Sequence, residues 1–274
     1  MQKKIILNPG DIDEIQKLIN VLQDHKKQYA NFKSFVNTCD EALEIATALL
    51  NNDFKTFKKF KLKFTHHTAE KMRGIDSLST YKKTSSVCRW LSQNGGICAK
   101  CYAEKSIKLY NAALTPLLIY NTLLLKYIDI DGDNIPYINS KYFRFEAFSD
   151  LQGSKHFKNL IAICKKNKSV IFTLWTKTGY LLEKYIKNEN IKKLPSNLNI
   201  VYSEFNINNK TPLEYMQGMQ SVIKSPNALK CFIVYDSENL RKNSGFYLCK
   251  NRCIDCLKCY KKSKKILYIA EKIH

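Results

Sequence analysis

Residues 142–176 read YFRFEAFSDLQGSKHFKNLIAICKKNKSVIFTLWT and predict a strand, a helix and a second strand. The strands are predicted over 142–148 and 169–175, with the helix over about 154–164. Downstream, the same alternation predicts a helix to about residue 187 and further strands over 198–205, 229–235 and 266–270. Strands separated by crossover helices form parallel sheets with right-handed connections. The stretch therefore predicts an α/β fold.

Polar residues at the ends of these strands are candidate site residues, because ligands of parallel sheets bind at the carboxyl ends of the strands. They are Glu146, Ser149, Asp150, Thr176, Lys177, Ser203, Asp236 and Ser237. Arg144 and Glu146 are two positions apart, so we expect them on one strand face, where two charges need a ligand or a partner. Two alternatives remain open. The charges could pair with each other or with Lys177, and Asp150 could cap the following helix.

Upstream of this alternation, Cys88, Cys98 and Cys101 stand in a C-x9-C-x2-C arrangement. Thiolates separated by two residues can turn toward one metal centre without straining the backbone. Gly95 and Gly96 allow the intervening loop to fold back, because glycine accepts positive φ at low cost. Three thiolates leave one coordination position open, as a metal site needs if it is to act on a ligand.

The tail contains a second group of cysteines in a C-x3-C-x2-C-x2-C run. They are Cys249, Cys253, Cys256 and Cys259. Structural zinc sites more often pair two C-x2-C knuckles across a longer insert, whereas closely spaced cysteines are typical of iron–sulfur clusters. We predict a closed cluster here, acting as a structural staple or an electron relay. Zinc remains the alternative at both groups, as does one polynuclear site built from all seven of these cysteines and a spare one. A zinc ion at the first group would take a fourth ligand from Cys39, Cys164, Cys231 or a histidine.

Three regions are predicted: a helical N-terminal extension over 1–70, an α/β core over 71–240, and a Cys-rich segment over 241–274. Within them, 68–86 is predicted to be a loop, and the stretch from 102 to about 127 a helix kinked at Pro116. A chain of 274 residues with 45% hydrophobic residues can bury a substantial core.

The ten cysteines favour metal or cluster ligation in a reducing compartment over disulfides. No secretory signal is visible, and the richest apolar run, 117–125, is far shorter than the about 18 residues that span a bilayer. We therefore expect a cytoplasmic protein without a membrane partner. The sequence does not indicate an oligomeric state.

The charge balance favours a polyanionic partner. Lys and Arg number 45 against 24 Asp and Glu, a formal net charge of +21. Phosphate neutralisation releases counterions, so nucleic acid is a candidate partner. The surplus is nearly all lysine, however, and the lysine-rich composition of an AT-rich genome explains it equally well.

Several of these motifs resemble the phage gene product 88 family. The resemblance lies in Ser77-Leu-Ser-Thr, Cys88, Cys98-Ala-Lys-Cys101-Tyr-Ala, Arg144-x5-Asp150-Leu, Thr173-Leu-Trp-Thr176-Lys177 and the terminal cysteines, and it covers roughly residues 72–260. The family pattern near Arg144 has a histidine two positions later and a glycine before the aspartate. This chain has Glu146 and Ser149 at those positions.

The family is similar to radical S-adenosylmethionine proteins, including the spore photoproduct lyase type that acts on damaged DNA. The resemblance implies a partial (β/α) barrel with a [4Fe–4S] cluster on Cys88, Cys98 and Cys101, although the usual spacing is C-x3-C-x2-C. S-adenosylmethionine would then contact Arg144, Glu146, Ser149, Asp150, Thr176 and Lys177.

The resemblance further implies an auxiliary cluster in the tail, an electron donor, a nucleic-acid or nucleotide substrate, and a phage or mobile-element protein in a bacterial host. The alternative hypothesis is a non-catalytic nucleic-acid-binding protein stabilised by zinc or iron–sulfur centres.

Overall fold

The structure is a computed structural model, which describes residues 5–67, 71–209, 230–236, 238, 246–249, 251–262 and 267–273. The predicted positions Leu229, Ser237 and Ile266 lie outside the described residues. None of the helices in the described ranges combines the length and the apolar character needed to cross a bilayer.

The strands form one mixed sheet in which almost every neighbouring pair is parallel, which confirms the α/β class. They are β1 Thr65–His66, β2 Asp76–Leu78, β3 Tyr142–Phe145, β4 Ile171–Thr176, β5 Leu198–Ser203, β6 Lys230–Tyr235, β7 Tyr247–Leu248 and β8 Leu267–Lys272. Their order is β1-β2-β3-β4-β5-β6-β8-β7, and β1 pairs antiparallel with β2. From β2 to β6 the parallel strands lie side by side in chain order.

Helices precede and connect the strands. They are α1 Pro9–Gln28, α2 Lys33–Leu50, α3 Phe54–Phe57, α4 Ser86–Gln93, α5 Tyr102–Leu109, α6 Asn111–Tyr127, α7 Ser154–Lys166, α8 Leu182–Asn188 and α9 Cys253–Cys256. The predicted helical character of the N-terminal segment is confirmed by α1, α2 and α3. One continuous apolar core includes Ile15 of α1, Leu49 of α2, and Phe143 and Phe145 of β3. The N-terminal helices therefore share the core of the sheet.

Different parts of the chain pack against the two faces of the sheet. On one face, Phe172 and Leu174 of β4 belong to the core that includes the helices. On the other face, Val201, Phe232 and Ile269 form a smaller cluster, and cysteines of the tail pack against it together with Trp175. Because strand residues alternate between faces, the odd-numbered positions of β4 and β5 look toward the tail.

Strand β2 was predicted to be part of a loop, and that prediction is wrong. Asp76, Ser77 and Leu78 pair in parallel with Arg144 and its neighbours in β3. Three residues with one apolar side chain give no alternation that distinguishes a strand from a loop. The consequence matters for the site, because the first cysteine group follows directly after a strand of the parallel sheet.

The predicted kinked helix is two helices, broken at Tyr110 and not at Pro116. Pro116 lies inside α6 and has no N–H for the carbonyl of Ala112, four positions earlier. That carbonyl is instead 3.1 Å from Nε2 of the His25 ring. Burial lowers the pKa of His25, so the neutral ring donates from Nε2 and the helix continues through the proline.

Candidate functional site

The first cysteine group begins on α4. The side chain of Ser85 accepts a hydrogen bond from the backbone N–H of Cys88 at 3.1 Å and caps the helix. After the helix, Gly95 and Gly96 have φ of +83° and +61°. These are the backbone conformations for which the two glycines were predicted, and they turn the chain back toward Cys98.

The returning loop docks on the carboxyl end of β5. The N–H of Ile97 donates to the carbonyl of Phe205 at 3.1 Å. A Cβ on Gly96 would lie 2.8 Å from both the ring and the carbonyl of Phe205. Glycine is therefore required there by a close approach as well as by φ, and the loop is held at the edge where ligands of parallel sheets bind.

All three cysteines of this group line one open cleft of about 410 Å³. The other side chains of the cleft come from Lys82, Lys83, Arg89, Ser92, Ala99, Lys100, Glu104, Lys105 and Lys108. Three thiols on one cleft are a donor set of the kind that holds an iron–sulfur cluster. Within the described ranges, no three His, Cys, Asp or Glu side chains are arranged to hold a metal ion, so the metal itself stays a prediction.

Two thiols of this cleft, those of Cys88 and Cys98, favour the neutral form unless a positive group binds them. Burial raises the pKa of Cys88 to about 12, the charge of Asp150 adds to the increase, and Lys177 opposes it. Burial also raises the pKa of Cys98, again opposed by Lys177. Thiolate ligands must lose their protons when a metal binds, and a bound cation supplies the charge that makes this favourable.

Asp150 holds the loop after β4 in place. Its Oδ1 accepts from Thr176 Oγ1 at 2.6 Å and from the N–H of Leu151 at 2.7 Å, and its Oδ2 accepts from the N–H of Lys177 at 2.7 Å. Burial raises the pKa of Asp150, and its hydrogen bond from Thr176 opposes that shift. The alternative that Asp150 caps α7 is wrong, because the N-cap residue of that helix is Gly153.

Lys177 therefore has a fixed backbone, and its side chain reaches across the end of the sheet. Its Nζ donates to Ser203 Oγ at 2.9 Å, at the end of β5. Ser149 makes only a long contact of 3.5 Å from its Oγ to the carbonyl of Asp150. Lys177 and Ser203 are thus the predicted edge residues that the structure brings together beside the cysteines.

Glu146 does not share a face with Arg144, contrary to the sequence prediction. Strand β3 ends at Phe145, and Glu146 has φ of +55°. Its buried carboxyl accepts from Thr80 Oγ1 at 3.1 Å, and its other oxygen lies 3.4 Å from Nε2 of the buried His156. Burial raises the pKa of Glu146 well above 4.5 and lowers that of His156 to about 3, so burial favours the uncharged form of both groups.

Arg144 belongs to the tail group. Its guanidinium lies over the ring of Trp175, 4.4 Å from the centroid, and donates to Tyr102 Oη at 3.2 Å. The alternative ion pairs of Glu146, with Arg144 or with Lys177, are not among the ion pairs of the described residues. Burial raises the pKa of the tail thiols Cys253 and Cys259, and Arg144 opposes the shift in both.

The four tail cysteines line one small cavity of about 20 Å³, together with Arg144, Trp175, Asn251, Leu257, Lys258 and Tyr260. Hydrogen bonds fix this segment to the sheet. Thr173 Oγ1 donates to the carbonyl of Cys259 at 3.3 Å, and Asn199 Nδ2 donates to the carbonyl of Tyr260 at 3.1 Å. The N–H of Cys253 donates to a backbone carbonyl of residue 71 at 2.8 Å.

A family model described as Gene product 88 matches residues 46–262, which include the parallel strands β2 to β6 and both cysteine groups. The chain belongs to the Gene product 88 family. The predicted family of phage proteins is thereby confirmed, and the match extends further toward the N-terminus than the resemblance did. No curated protein and no solved structure matches the chain.

In this Gene product 88 protein, the sequence analysis missed two lysines beside the tail cysteines. Lys71 forms an ion pair with Glu271, and its charge opposes the effect of burial, which raises the pKa of the Cys249 thiol. Lys230 is fully buried, its Nζ donates to Asn199 Oδ1 at 3.0 Å, and burial lowers its pKa to about 8. Lysine is so common in the chain that only Lys230, which begins an apolar strand, gave any signal.

Proposed function

We propose that this phage protein is an iron–sulfur enzyme that binds S-adenosylmethionine and acts on a nucleic acid or nucleotide in the bacterial host cell. Cys88, Cys98 and Cys101 would hold a [4Fe–4S] cluster with one iron open to the cofactor. The observation that carries this proposal is the cleft itself. Three cysteine thiols, and in the described part of the chain no fourth, line a cleft beside the carboxyl ends of parallel strands.

The order of the strands supports a partial (β/α) barrel. In doubly wound sheets the strand order reverses at a switch point, whereas barrels are wound in one direction. Here the order of β2, β3, β4, β5, β6 and β8 follows the chain, and these neighbours are parallel. The three cysteines follow the first of these strands. In this interpretation the helices form the outer layer and the tail lies on the inner face.

A reduced cluster of this kind, when bound, supplies one electron for cleaving a carbon–sulfur bond of S-adenosylmethionine. The chain contributes the groups that hold and orient the small molecule. Lys177 Nζ and Ser203 Oγ, 2.9 Å apart, present a positive charge and a hydroxyl at the end of β5. These groups suit a carboxylate, and the hydrogen bonds that Asp150 accepts fix the backbone of Lys177.

The other predicted cofactor contacts receive different roles in this proposal. Thr176 donates to Asp150 and so positions Lys177. Glu146 is engaged with Thr80 and His156, and we assign it to shaping the end of β3. Arg144 is engaged with Trp175 and the tail, and we assign it to the second metal group.

The tail cysteines would hold a closed group with four protein ligands, a structural staple or an electron relay. A thiolate group of this kind is negative, and Arg144, Lys71 and Lys230 lie beside it. Buried cations need compensating negative charge, so their presence supports thiolates at this position. Zinc and a [4Fe–4S] cluster both meet that requirement.

The test is turnover of the small molecule by protein purified without oxygen. Iron and acid-labile sulfide are counted, the protein is reduced, S-adenosylmethionine is added, and 5′-deoxyadenosine is measured. We expect product from the native chain and none from Cys98→Ala. A protein with a full, reduced cluster that forms no 5′-deoxyadenosine would overturn the proposed mechanism.

The second candidate is a non-catalytic protein that binds nucleic acid, with both cysteine groups structural. The lysines around the cleft favour it, because phosphate binding needs no open metal position. Metal analysis separates the candidates. Zinc alone, together with steep salt dependence of nucleic-acid binding, would establish the second.

A further inference from the structure

We propose that the basic rim of the three-cysteine cleft binds a single strand of nucleic acid, with one nucleotide entering the cleft. The basic rim is defined as Lys83, Arg89, Lys100 and Lys105. The inference deepens the proposed function by naming the surface and the strand type, and it rests on that function for the reaction only.

The rim concentrates positive charge that is not compensated locally. Six cationic side chains and one carboxylate, that of Glu104, line the cleft. Glu104 is already engaged with Lys82 and lies 3.9 Å from Lys108. In the described part of the chain, no carboxylate forms an ion pair with the four residues of the basic rim.

The charge around the cleft differs from that of regions where lysines have acidic partners. In the N-terminal segment, Lys26 pairs with Asp40, and Lys59 with Glu44. Lys158 on α7 lies 2.9 Å from Asp129. Around the cleft, by contrast, six cationic side chains share one carboxylate.

The rim is also built to present its charges outward. Lys83, Arg89, Lys100 and Lys105 are exposed. Arg89 Nη1 donates to the backbone carbonyl of Lys83 at 2.6 Å, which orients the guanidinium. A guanidinium oriented in this way and flanked by exposed lysines suits phosphates, which guanidinium groups bind through paired hydrogen bonds.

The shape of the site selects a single strand. The cleft has a volume of about 410 Å³, within the range of pockets that enclose one small molecule. The bases of a duplex are stacked inside the double helix. Enzymes that act on a base therefore take that base out of the stack or use single strands. Phosphates of a strand on the basic rim would place one nucleotide over the cysteines.

The experiment measures binding of a fluorescein-labelled oligothymidylate by anisotropy, with the full chain purified without oxygen. A strand of about 15 nucleotides covers one single-strand site. The variant is the triple Lys83→Gln, Lys100→Gln, Lys105→Gln. Its matched control is Lys165→Gln, Lys168→Gln, Lys193→Gln, which removes equal charge from exposed lysines near the amino ends of β4 and β5.

We expect the rim variant to bind at least about tenfold more weakly, and its plot of log affinity against log salt to be shallower by about 2. The control triple should bind like the native chain. Equal weakening in both triples would overturn the inference, as would equal or tighter binding of the matching duplex, or equally effective competition by polyglutamate.

The two proposals fail separately. Native protein that forms 5′-deoxyadenosine but does not bind the strand overturns the inference alone. Binding that depends on the basic rim, in reduced protein that forms no 5′-deoxyadenosine, supports the inference and overturns the proposed mechanism.

Discussion

The two cysteine groups of this chain differ in almost every physical respect. The first lines an open cleft of about 410 Å³ at the carboxyl ends of the strands, with lysines on its outside. The second lines a cavity of about 20 Å³ on a face of the sheet, with Arg144 and Trp175 beside it. The difference teaches that thiol number does not define a role. A metal site with a free coordination position beside a cleft is suited to catalysis. A site with four protein ligands inside the fold is suited to stabilising the structure.

Removing one cysteine from each group should give the largest contrast. Cys256→Ala should lower the free energy of unfolding by about 3 kcal/mol or more, because a structural metal contributes directly to folding. Cys98→Ala should lower it by less than about 1 kcal/mol, because Ser85 and Phe205 still hold its loop and hydrogen bonds of this kind contribute about 1 kcal/mol each.

Denaturant unfolding and iron analysis of anaerobic preparations check this contrast. Each variant should lose the metal of one group only. If either substitution removed the metal of both groups, the cysteines would form a single polynuclear site, and the interpretation as two separate groups would be wrong.

Substitutions at the neighbouring Gly95 and Gly96 separate the effect of a positive φ from the effect of the close contact with Phe205. Gly95→Ala and Gly96→Ala both place a side chain at positive φ, at about 1 kcal/mol each. A Cβ on Gly96 also meets Phe205 at 2.8 Å, whereas one on Gly95 meets open space. We expect Gly96→Ala to cost about 3 kcal/mol in total and to empty the first group of iron while the tail keeps its own.

Gly95→Ala serves as the control in that experiment. Equal iron loss in the two alanine variants would show that φ, and not the contact with Phe205, positions the cysteine loop.

Glu146, the buried acid at the end of β3, is expected to make the free energy of unfolding depend on pH. The pKa of Glu146 is raised above its ordinary 4.5 by burial. Its stabilising effect is therefore complete below pH 4.5 and is lost as the pH rises toward the raised pKa, with a slope of up to about 1.4 kcal/mol per pH unit. Glu146→Gln should remove this dependence, measured as the denaturation midpoint between pH 5 and 8.

Asp133→Asn, at an exposed carboxylate, is the matched control and should leave the slope unchanged. A slope equal in the native chain and in Glu146→Gln would contradict the neutral state of the buried carboxyl.

The smallest effect is expected at Arg144. Arg144→Met removes the cation over Trp175, an interaction of about 1 kcal/mol, and should speed the loss of tail metal to a chelator. Arg144→Lys should lose the tail metal at a rate between those of the native chain and Arg144→Met, because lysine keeps the charge but lacks the planar guanidinium. Arg252→Met is the control, since that exposed side chain pairs with Asp255 in α9. A chelation rate unaffected by Arg144→Met would show that the tail group needs no such cation.

Cysteine spacing predicted much of both groups. The C-x2-C elements and the two glycines placed Cys88, Cys98 and Cys101 together, and the structure puts all three on one cleft. It also puts the tail cysteines around one cavity. Such local signals work because a few residues of backbone between two side chains limit where those side chains can point.

The prediction for Arg144 and Glu146 failed for a similar local reason. Period-two alternation places them on one face only while the strand continues, and β3 ends between them. Lys71 and Lys230 escaped prediction because their partners are far away in sequence: Glu271 for one, Asn199 for the other. No sequence pattern identifies a lysine by a partner that the fold supplies.

The sequence by itself determined the α/β class and the family, because periodicity and motif spacing are properties of neighbouring residues. Only the tertiary structure decided that Arg144 serves the tail, that Asp150 holds Lys177, and that the basic rim surrounds one cleft. Those facts depend on which strand ends and loops meet across the sheet, and long-range packing settles that arrangement.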